Sequence, residues 1–568
     1  MSPSGDIYGW YLYYSKVSII FTFTNSILIP KSTGKDRGKC IHLSKKQKKG
    51  ALRMFTQISS AGIRGMEGFL VSVEADVSNG LPGFSISGQL ALEVREAQER
   101  VRTALKNSDF QLPAKKITVN LSPAGRRKEG TVFDLPIAAA VLGAFELLSA
   151  EKLKDALLIG ELGLDGSVKP VRGVLVLVSA AKKMGFRRWL LPVANVSEGT
   201  LVEGIQIIGI QSLRHLQEVL SQDNWEDMDL GISGNINRRT FKPEYLFDFK
   251  EICGQSVLRR AAEVAAAGRH GLLMCGSAGT GKSMVAKRIP TILPALSWEE
   301  NIEISKIYSL CGLLPKGQPL LSQRPFRSPH HTISPQGLTG GGKVPKPGEL
   351  SLASGGVLFL DELPHFSKGA IEALREPLEE HRITVSRVAG SYEFPADFLI
   401  LGAMNPCPCG FFPDRSRCSC TPMQIQNYLN RLSRPILERF DICVEAAPVS
   451  FLELEDQTMA NEDSATIRSR VEKAVKIQNH RFQGTDIHSN SRMGQKEIQR
   501  FCQLKEAERR FARKVYEARG ISARGYHRVL KTARTIADLA GEEWIQREHL
   551  SEAFGYRALE ERIWGQKH

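Results

Sequence analysis

The sequence predicts an α/β protein in three parts, two strand–helix regions followed by an all-helical one. Three observations predict it. Strand-type and helix-type runs alternate from residue 54 to about 222, and again over 241–449. Within the second region an apolar strand at 272–275 enters a Gly-rich turn and then a helix. From 450 to 568 the β-type runs stop and helical periodicity takes over. At 568 residues the chain also exceeds what a single core accommodates.

Residues 1–53 stand apart. They carry ten Lys/Arg against two Asp, so +8 of the formal +15 lies there and the remaining 515 residues are mildly basic at +7. That balance is compatible with a nucleic-acid partner without demanding one. VSIIFTFTNSILI (17–29) is interrupted by polar residues and too short to span a bilayer. It lacks the basic leader and small-residue cleavage site of an export signal. The stretch reads as a disordered or non-native extension, with Met54 as the expected natural start. Ten cysteines without an export signal argue against a disulfide framework and for a reduced, cytoplasmic setting without a membrane partner.

In 54–222, FLVSVEADV, KITVNLSPA, ALLIGELGL and RRWLLPVAN read as strands. EVREAQERVRTALKNS, DLPIAAAVLGAFELL and GVLVLVSAAKKMG read as helices. The polar residues 223–240 read as a linker.

The second region carries the chemistry. The turn is Gly276, Ser277, Ala278, Gly279, Thr280, Gly281, Lys282 and Ser283. Such glycines let backbone N–H groups close around a phosphate at a helix N-terminus. Lys282 then reaches the β- and γ-phosphates of ATP, and the Ser283 hydroxyl ligates Mg²⁺. GGVLFLDEL supplies the acidic strand end, with Asp361 for the magnesium shell and Glu362 as base for water. Cys407, Cys409, Cys418 and Cys420 form two CxC pairs on loop-forming sequence. Four thiolates so spaced can close around Zn²⁺; reduced structural cysteines and a redox switch are the alternatives.

With the Gly-rich loop at 276–283, the acidic strand at 357–362 and MNPC at 404–407, the sequence resembles the YifB/ComM family of magnesium-chelatase-like AAA+ ATPases. FRSPHHTIS (326–334), GELSLASGGVLFLDELPHF (348–366), MNPCPCG (404–410) and LSRPILERFDI (432–442) strengthen the resemblance, which covers about 54–568. It implies a Lon-protease-like domain at 54–222, an AAA+ core at 241–449 and a helical lid at 450–568. It implies Asn405 as sensor 1, Arg439 as an arginine finger offered to a neighbouring subunit (Arg434 is the rival), and Arg524 as sensor 2. The implied assembly is a homo-hexamer acting on single-stranded or branched DNA as a branch-migration helicase. A chelatase-type ATPase for metal insertion and an AAA+ protein remodeller are the alternatives.

Further expectations follow. Lys282 and Asp361 lie 79 positions apart, and the Gly/Pro/Lys-rich excess between them reads as a loop inserted towards a ring's pore. RITVSRVAGSYEFP (382–395) reads as a hairpin; it is similar in layout to the pre-sensor hairpin of replicative helicases, which implies Arg387 as a contact to DNA phosphates, a solvated hairpin charge being the alternative. Aligned with Lon proteases, Phe133 or Asp134 stands where the serine belongs and Leu175 where the lysine belongs, which argues against peptidase chemistry. Adjacent His330 and His331, read as a strand, point to opposite faces and so away from one metal. Ser354 and His365 depart from the family pattern, and neither is expected to touch the nucleotide machinery.

Overall fold

The computed structural model describes residues 55–222, 245–315, 317–387, 390–449 and 461–559. The expectations for 1–53 and for the linker at 223–240 fall outside the described residues.

The first region builds a seven-stranded sheet from β1 (Phe55–Arg64), β2 (Glu67–Ser78), β3 (Gly83–Ser87), β4 (Lys116–Ser122), β5 (Ala156–Leu158), β6 (Arg188–Pro192) and β7 (Gln206–Ile210), in the order β3-β4-β2-β1-β5-β6-β7. β1 and β2 form an antiparallel hairpin in which Phe55 faces Asp76 and Arg64 faces Glu67. Alternate residues of both strands are buried, as a period-two pattern requires. Helix α1 (Ala97–Asn107) precedes β4, and α2 (Asp134–Ala144) packs on one face with Ile58, Val71 and Val73. Every residue of α2 is buried, so it is apolar all round rather than amphipathic. The other face holds α3 (Val174–Lys183) against Ala61 and Leu157, and α4 (Leu213–Ser221) closes the region.

The second region is a five-stranded sheet, entirely parallel. Helix α5 (Ser256–Gly268) leads into β8 (Leu272–Cys275), α6 (Lys282–Ile292) and α7 (Trp298–Cys311). β9 (Phe326–Arg327), β10 (Val357–Leu360), the hairpin strands β11 (Arg382–Arg387) and β12 (Gly390–Pro395), β13 (Leu399–Met404), α8 (Pro422–Leu429) and β14 (Ile442–Glu445) follow. The sheet order is β9-β10-β13-β8-β14. β8, β10 and β13 are buried at every position, the continuous apolar signature of a parallel sheet covered on both faces. Parallel strands place all their carboxyl ends on one edge. That edge therefore collects Gly276 after β8, Asp361 after β10 and Asn405 after β13.

The described part of the third region is helical: α9 (Ser464–Arg481), α10 (Gln495–Phe501), α11 (Glu506–Arg519), α12 (Ala523–Ala540) and α13 (Arg547–Gly555). Ser522 caps α12 by accepting from the Gly525 N–H, and left-handed Gly541 ends it. Buried His270 ties this bundle to the sheet. Its Nδ1 lies 2.9 Å from Asp441 Oδ2, and its Nε2 lies 2.8 Å from Thr535 Oγ1 on α12. Among the described residues no helix is long and apolar enough to cross a membrane.

Candidate nucleotide and metal sites

The phosphate loop spans the turn from β8 to α6. Gly279 and Gly281 adopt φ of 81° and 84°, left-handed angles that L side chains rarely accept. Gly276 is required for a different reason, since a β-carbon there would lie 2.5 Å from the Ala446 carbonyl. Ala278 and Gly279 form the exposed crest, while Thr280 is buried and donates to the Ser277 carbonyl at 2.9 Å. The Lys282 ammonium donates to the Gly276 and Ser277 carbonyls at 2.7 Å each and lies 3.4 Å from Asn405 Oδ1. Burial draws it below the usual lysine range, with Asp361 opposing. Ser283 Oγ donates to Asp361 Oδ2 at 2.7 Å, which puts the two expected magnesium ligands in contact.

Glu362 follows Asp361 in a left-handed conformation, φ 51°, ψ 44°, with its N–H on Asp361 Oδ1 at 3.0 Å. Here the structure corrects two expectations. β9 ends at Arg327, so His330 and His331 are not in a strand; a turn closed by the Ile333 N–H on the His330 carbonyl sets their rings 4.2 Å apart. His365 does touch the nucleotide machinery, with Nδ1 3.3 Å from Glu362 Oε2, because the 3-10 helix Leu363–His365 turns it back. His331 Nδ1 lies 3.4 Å from the same oxygen. Ser354 instead accepts the Asp397 N–H at 3.0 Å.

Arg439 lies at the other end of the sheet. Its carbonyl abuts Gly271, immediately before β8, whereas the phosphate loop starts immediately after it. Five residues of strand separate the two by roughly 16 Å. The guanidinium pairs with Glu379, and its buried Nε has no acceptor among the described residues. Burial, then the charges of Arg528, Arg375 and Arg524, pulls Arg439 below its ordinary value. Arg524 belongs to this group, 3.5 Å from Glu438. Arg434 is exposed at the start of the short helix Arg434–Leu437.

The four cysteines converge. Their Sγ atoms all lie within 4.8 Å of one another, with Cys407–Cys409 at 3.3 Å, Cys409–Cys418 at 3.5 Å and Cys407–Cys418 at 3.8 Å. A tetrahedron with zinc–sulfur bonds of about 2.3 Å has edges near 3.8 Å, so the donor set fits a tetrahedral metal ion. The Phe412 N–H donates to Cys407 Sγ at 3.4 Å. This loop also touches the phosphate loop, through Ser277 Oγ donating to the Gly410 carbonyl at 2.7 Å. Helix α8 follows the loop. Its Tyr428 bonds the Asn405 backbone and packs edge-on to His365 at 6.0 Å, and burial pushes its phenol up to about 12.

Comparison with known proteins bears on the whole of this arrangement. The family described as "Magnesium chelatase, subunit ChlI" matches residues 248–454, with its C-terminal counterpart matching 461–557 and "Subunit ChlI of Mg-chelatase" matching 73–195. The chain is 41% identical over 510 residues to Competence protein ComM of Haemophilus influenzae, covering 88% of this chain and 97% of that protein. It is 40% identical over 492 residues to YifB of Salmonella typhimurium, covering 86% and 94%. The chain belongs to the ComM/YifB family. It is a magnesium-chelatase-like AAA+ ATPase by that membership.

Over 138 residues this ComM/YifB-family chain is also 29% identical to the archaeal Lon protease of Methanocaldococcus jannaschii, covering 24% of this chain and 21% of that protein. Phe133, Asp134 and Leu175, the positions expected from the sequence to stand in place of a Ser–Lys pair, are all buried here. Phe133 and Leu175 are fully buried, and Asp134 is bound by the Arg100 guanidinium at 2.8 and 3.0 Å.

Arg387 sits at the hairpin tip opposite Gly390, close enough to the inserted segment that a β-carbon on Gly341 would lie 3.3 Å from its Nη2. Sequence reasoning missed Gln255. Its side chain donates to the Thr280 carbonyl at 3.0 Å and to the Ala447 carbonyl, beside a cavity of about 810 Å³ that Val444, Tyr556 and Leu559 help line. Gln255 stands just before α5 in a left-handed conformation, φ 54°, which no local sequence signal marks.

Proposed function

We propose that this protein is an ATP-driven homo-hexameric DNA translocase of the cytoplasm that promotes branch migration in homologous recombination, as in natural transformation. The observation that carries the reading is the split site. The phosphate cradle and Arg439 lie at opposite ends of β8, too far apart for one chain to complete its own centre. Hydrolysis then occurs at a seam, with the cradle from one copy and Arg439 from the next, a contribution worth about 10³–10⁵ in rate for such fingers. DNA is favoured as the track by the near full-length similarity to a protein named for competence and by Arg387 beside the Gly-rich insert.

In this reading Lys282, the loop amides and Ser283 hold the nucleotide phosphates, and Ser283 with Asp361 holds Mg²⁺. Bound Mg²⁺ supplies charge neutralisation at the phosphates. Glu362 takes a proton from the attacking water, Asn405 orients that water, and the cavity beside Gln255 receives the base. Arg524 acts with Arg439 at the seam. The four thiolates hold a structural Zn²⁺ that fixes the exit path from Asn405. The description of the matching family favours a second reading, a chelatase-type ATPase. Unwinding of a Holliday junction or three-strand substrate by the wild type, lost in Lys282→Ala and Glu362→Gln, supports the first reading. ATPase stimulated by porphyrin and not by DNA supports the second.

A further inference from the structure

Neither hydrolysis nor the Arg387 contact calls on the first region, yet its β1–β2 turn reaches the same hairpin. Gly65 and Met66 join the two strands, with Gly65 left-handed at φ 62°. The turn delivers Arg64 onto β12, its guanidinium 5.6 Å from the centre of the Tyr392 ring. Arg64 Nη2 also covers Gly390, where a β-carbon would collide with it. Arg126, in the loop after β4, lies 5.3 Å from the centre of the Phe69 ring. Among the described residues, these two guanidiniums have aromatic rings and not carboxylates as partners.

Between them the two regions leave a cavity of about 600 Å³, lined by Arg64, Arg126 and Arg382 together with Tyr392, Glu67 and Glu393. Arg382 lies 3.7 Å from Glu380 and 3.8 Å from Glu393, and all three side chains are more than half exposed. Such pairs neutralise little. Three cations lining one space with two carboxylates leave an excess positive charge that a phosphate group relieves. The charge continues beyond the cavity. Gly390 pairs with Arg387 across the hairpin tip, and Arg387 Nη2 neighbours Gly341 of the insert, whose Lys343 and Lys346 are exposed. Cations from three separate elements thus meet around one hairpin, a layout suited to a chain of phosphates rather than to a single anion.

We propose that the cavity between the first region and the β11–β12 hairpin binds the phosphates of a nucleic-acid strand, with Arg64 and Arg126 holding the backbone beside Arg387. This site rests on the DNA reading above and gives the first region a part in it. Contacts of this kind ignore base sequence and weaken with salt.

The test titrates the full-length chain against a fluorescent oligothymidylate, read by anisotropy. Each lost contact to a single strand removes about 0.7 from the salt slope. In Arg64→Ala/Arg126→Ala the fall in affinity between about 50 and about 200 mM salt should therefore be some sevenfold smaller than in the wild type. Arg126→Ala alone, which leaves the Arg64–Tyr392 contact in place, should show half of the slope change. Arg64→Lys/Arg126→Lys keeps the charges and should keep the wild-type slope; lysines as damaging as alanines would make both residues structural and overturn the site. Amides of residues 65–69 and 391–394 should exchange hydrogen more slowly once the oligonucleotide is added to the wild type. Inorganic tripolyphosphate that displaces the oligonucleotide at equal concentration would assign the cavity to a free anion and overturn the strand. An unchanged slope in Arg126→Ala and in the double alanine variant, in a chain whose binding Arg387→Ala does weaken, overturns this site alone. A wild type that binds no oligonucleotide overturns the DNA reading, and this site with it.

Discussion

Ser277→Ala is a one-atom perturbation of the phosphate loop that tests whether the four-cysteine loop supports nucleotide binding. The hydroxyl donates to the Gly410 carbonyl at 2.7 Å in half-buried surroundings, joining the crest of the phosphate loop to the turn between the two cysteine pairs. A hydrogen bond of this kind contributes about 0.5–1.5 kcal/mol net, or roughly a two- to twelvefold change in an equilibrium constant. The dissociation constant of a fluorescent ATP analogue should therefore rise by that factor, with the cysteine loop otherwise intact. Stripping metal from the wild type with a chelator should weaken binding through the same link, because Gly410 then loses its fixed position. In Ser277→Ala the link is already cut, so chelation should add little. Full multiplication of the two effects would show that they are independent, and wild-type affinity in Ser277→Ala would refute the reasoning outright.

Other outcomes follow from the same geometry. Metal analysis of anaerobically purified protein should give about one zinc per chain, with the four thiols protected from alkylation until a chelator is added. Arg387→Ala should weaken DNA binding uniformly across sequences and make its salt dependence shallower by about one unit of slope; an unchanged slope would remove this contact. Burial raises Asp397, but Arg269, Arg492 and His381 outweigh it and hold its carboxyl below the usual range. Its contribution to stability is thus full above the unfolded value of about 3.9 and fades as pH falls through the lower folded value. Arg492→Gln should accordingly lower Tm at pH 7, with the gap to wild type closing below about pH 4.

What could be read from the sequence was what is contiguous in it. The strand, glycines and helix of 272–292 form one local unit, so spacing alone located the cradle, and the four cysteines lie within one loop. The acidic pair after 357–360 was legible because a fully apolar run ending in two acids has few other uses. Contacts between distant segments had no such signal. His331 and His365 reach Glu362 only once the insert folds back, and the strand assumption for His330 and His331 failed because β9 is two residues long. Gln255 reaches Ala447 across 192 positions, and Tyr428 meets Asn405 through a helix whose placement depends on the cysteine loop. The position of Arg524 beside Glu438 depends in turn on the seating of the whole helical bundle, which periodicity does not encode.

The central claim is that each hydrolytic centre is shared by two copies, and mixing two inactive variants tests it most directly. Lys282→Ala lacks a working cradle but keeps Arg439; Arg439→Ala keeps the cradle. Each alone should turn over almost no ATP. Mixed in equal amounts under exchange, random assembly restores about one seam in four, and ATPase should return towards that fraction of wild type. No recovery in mixed rings, or full turnover by wild-type chains held monomeric, would contradict the account.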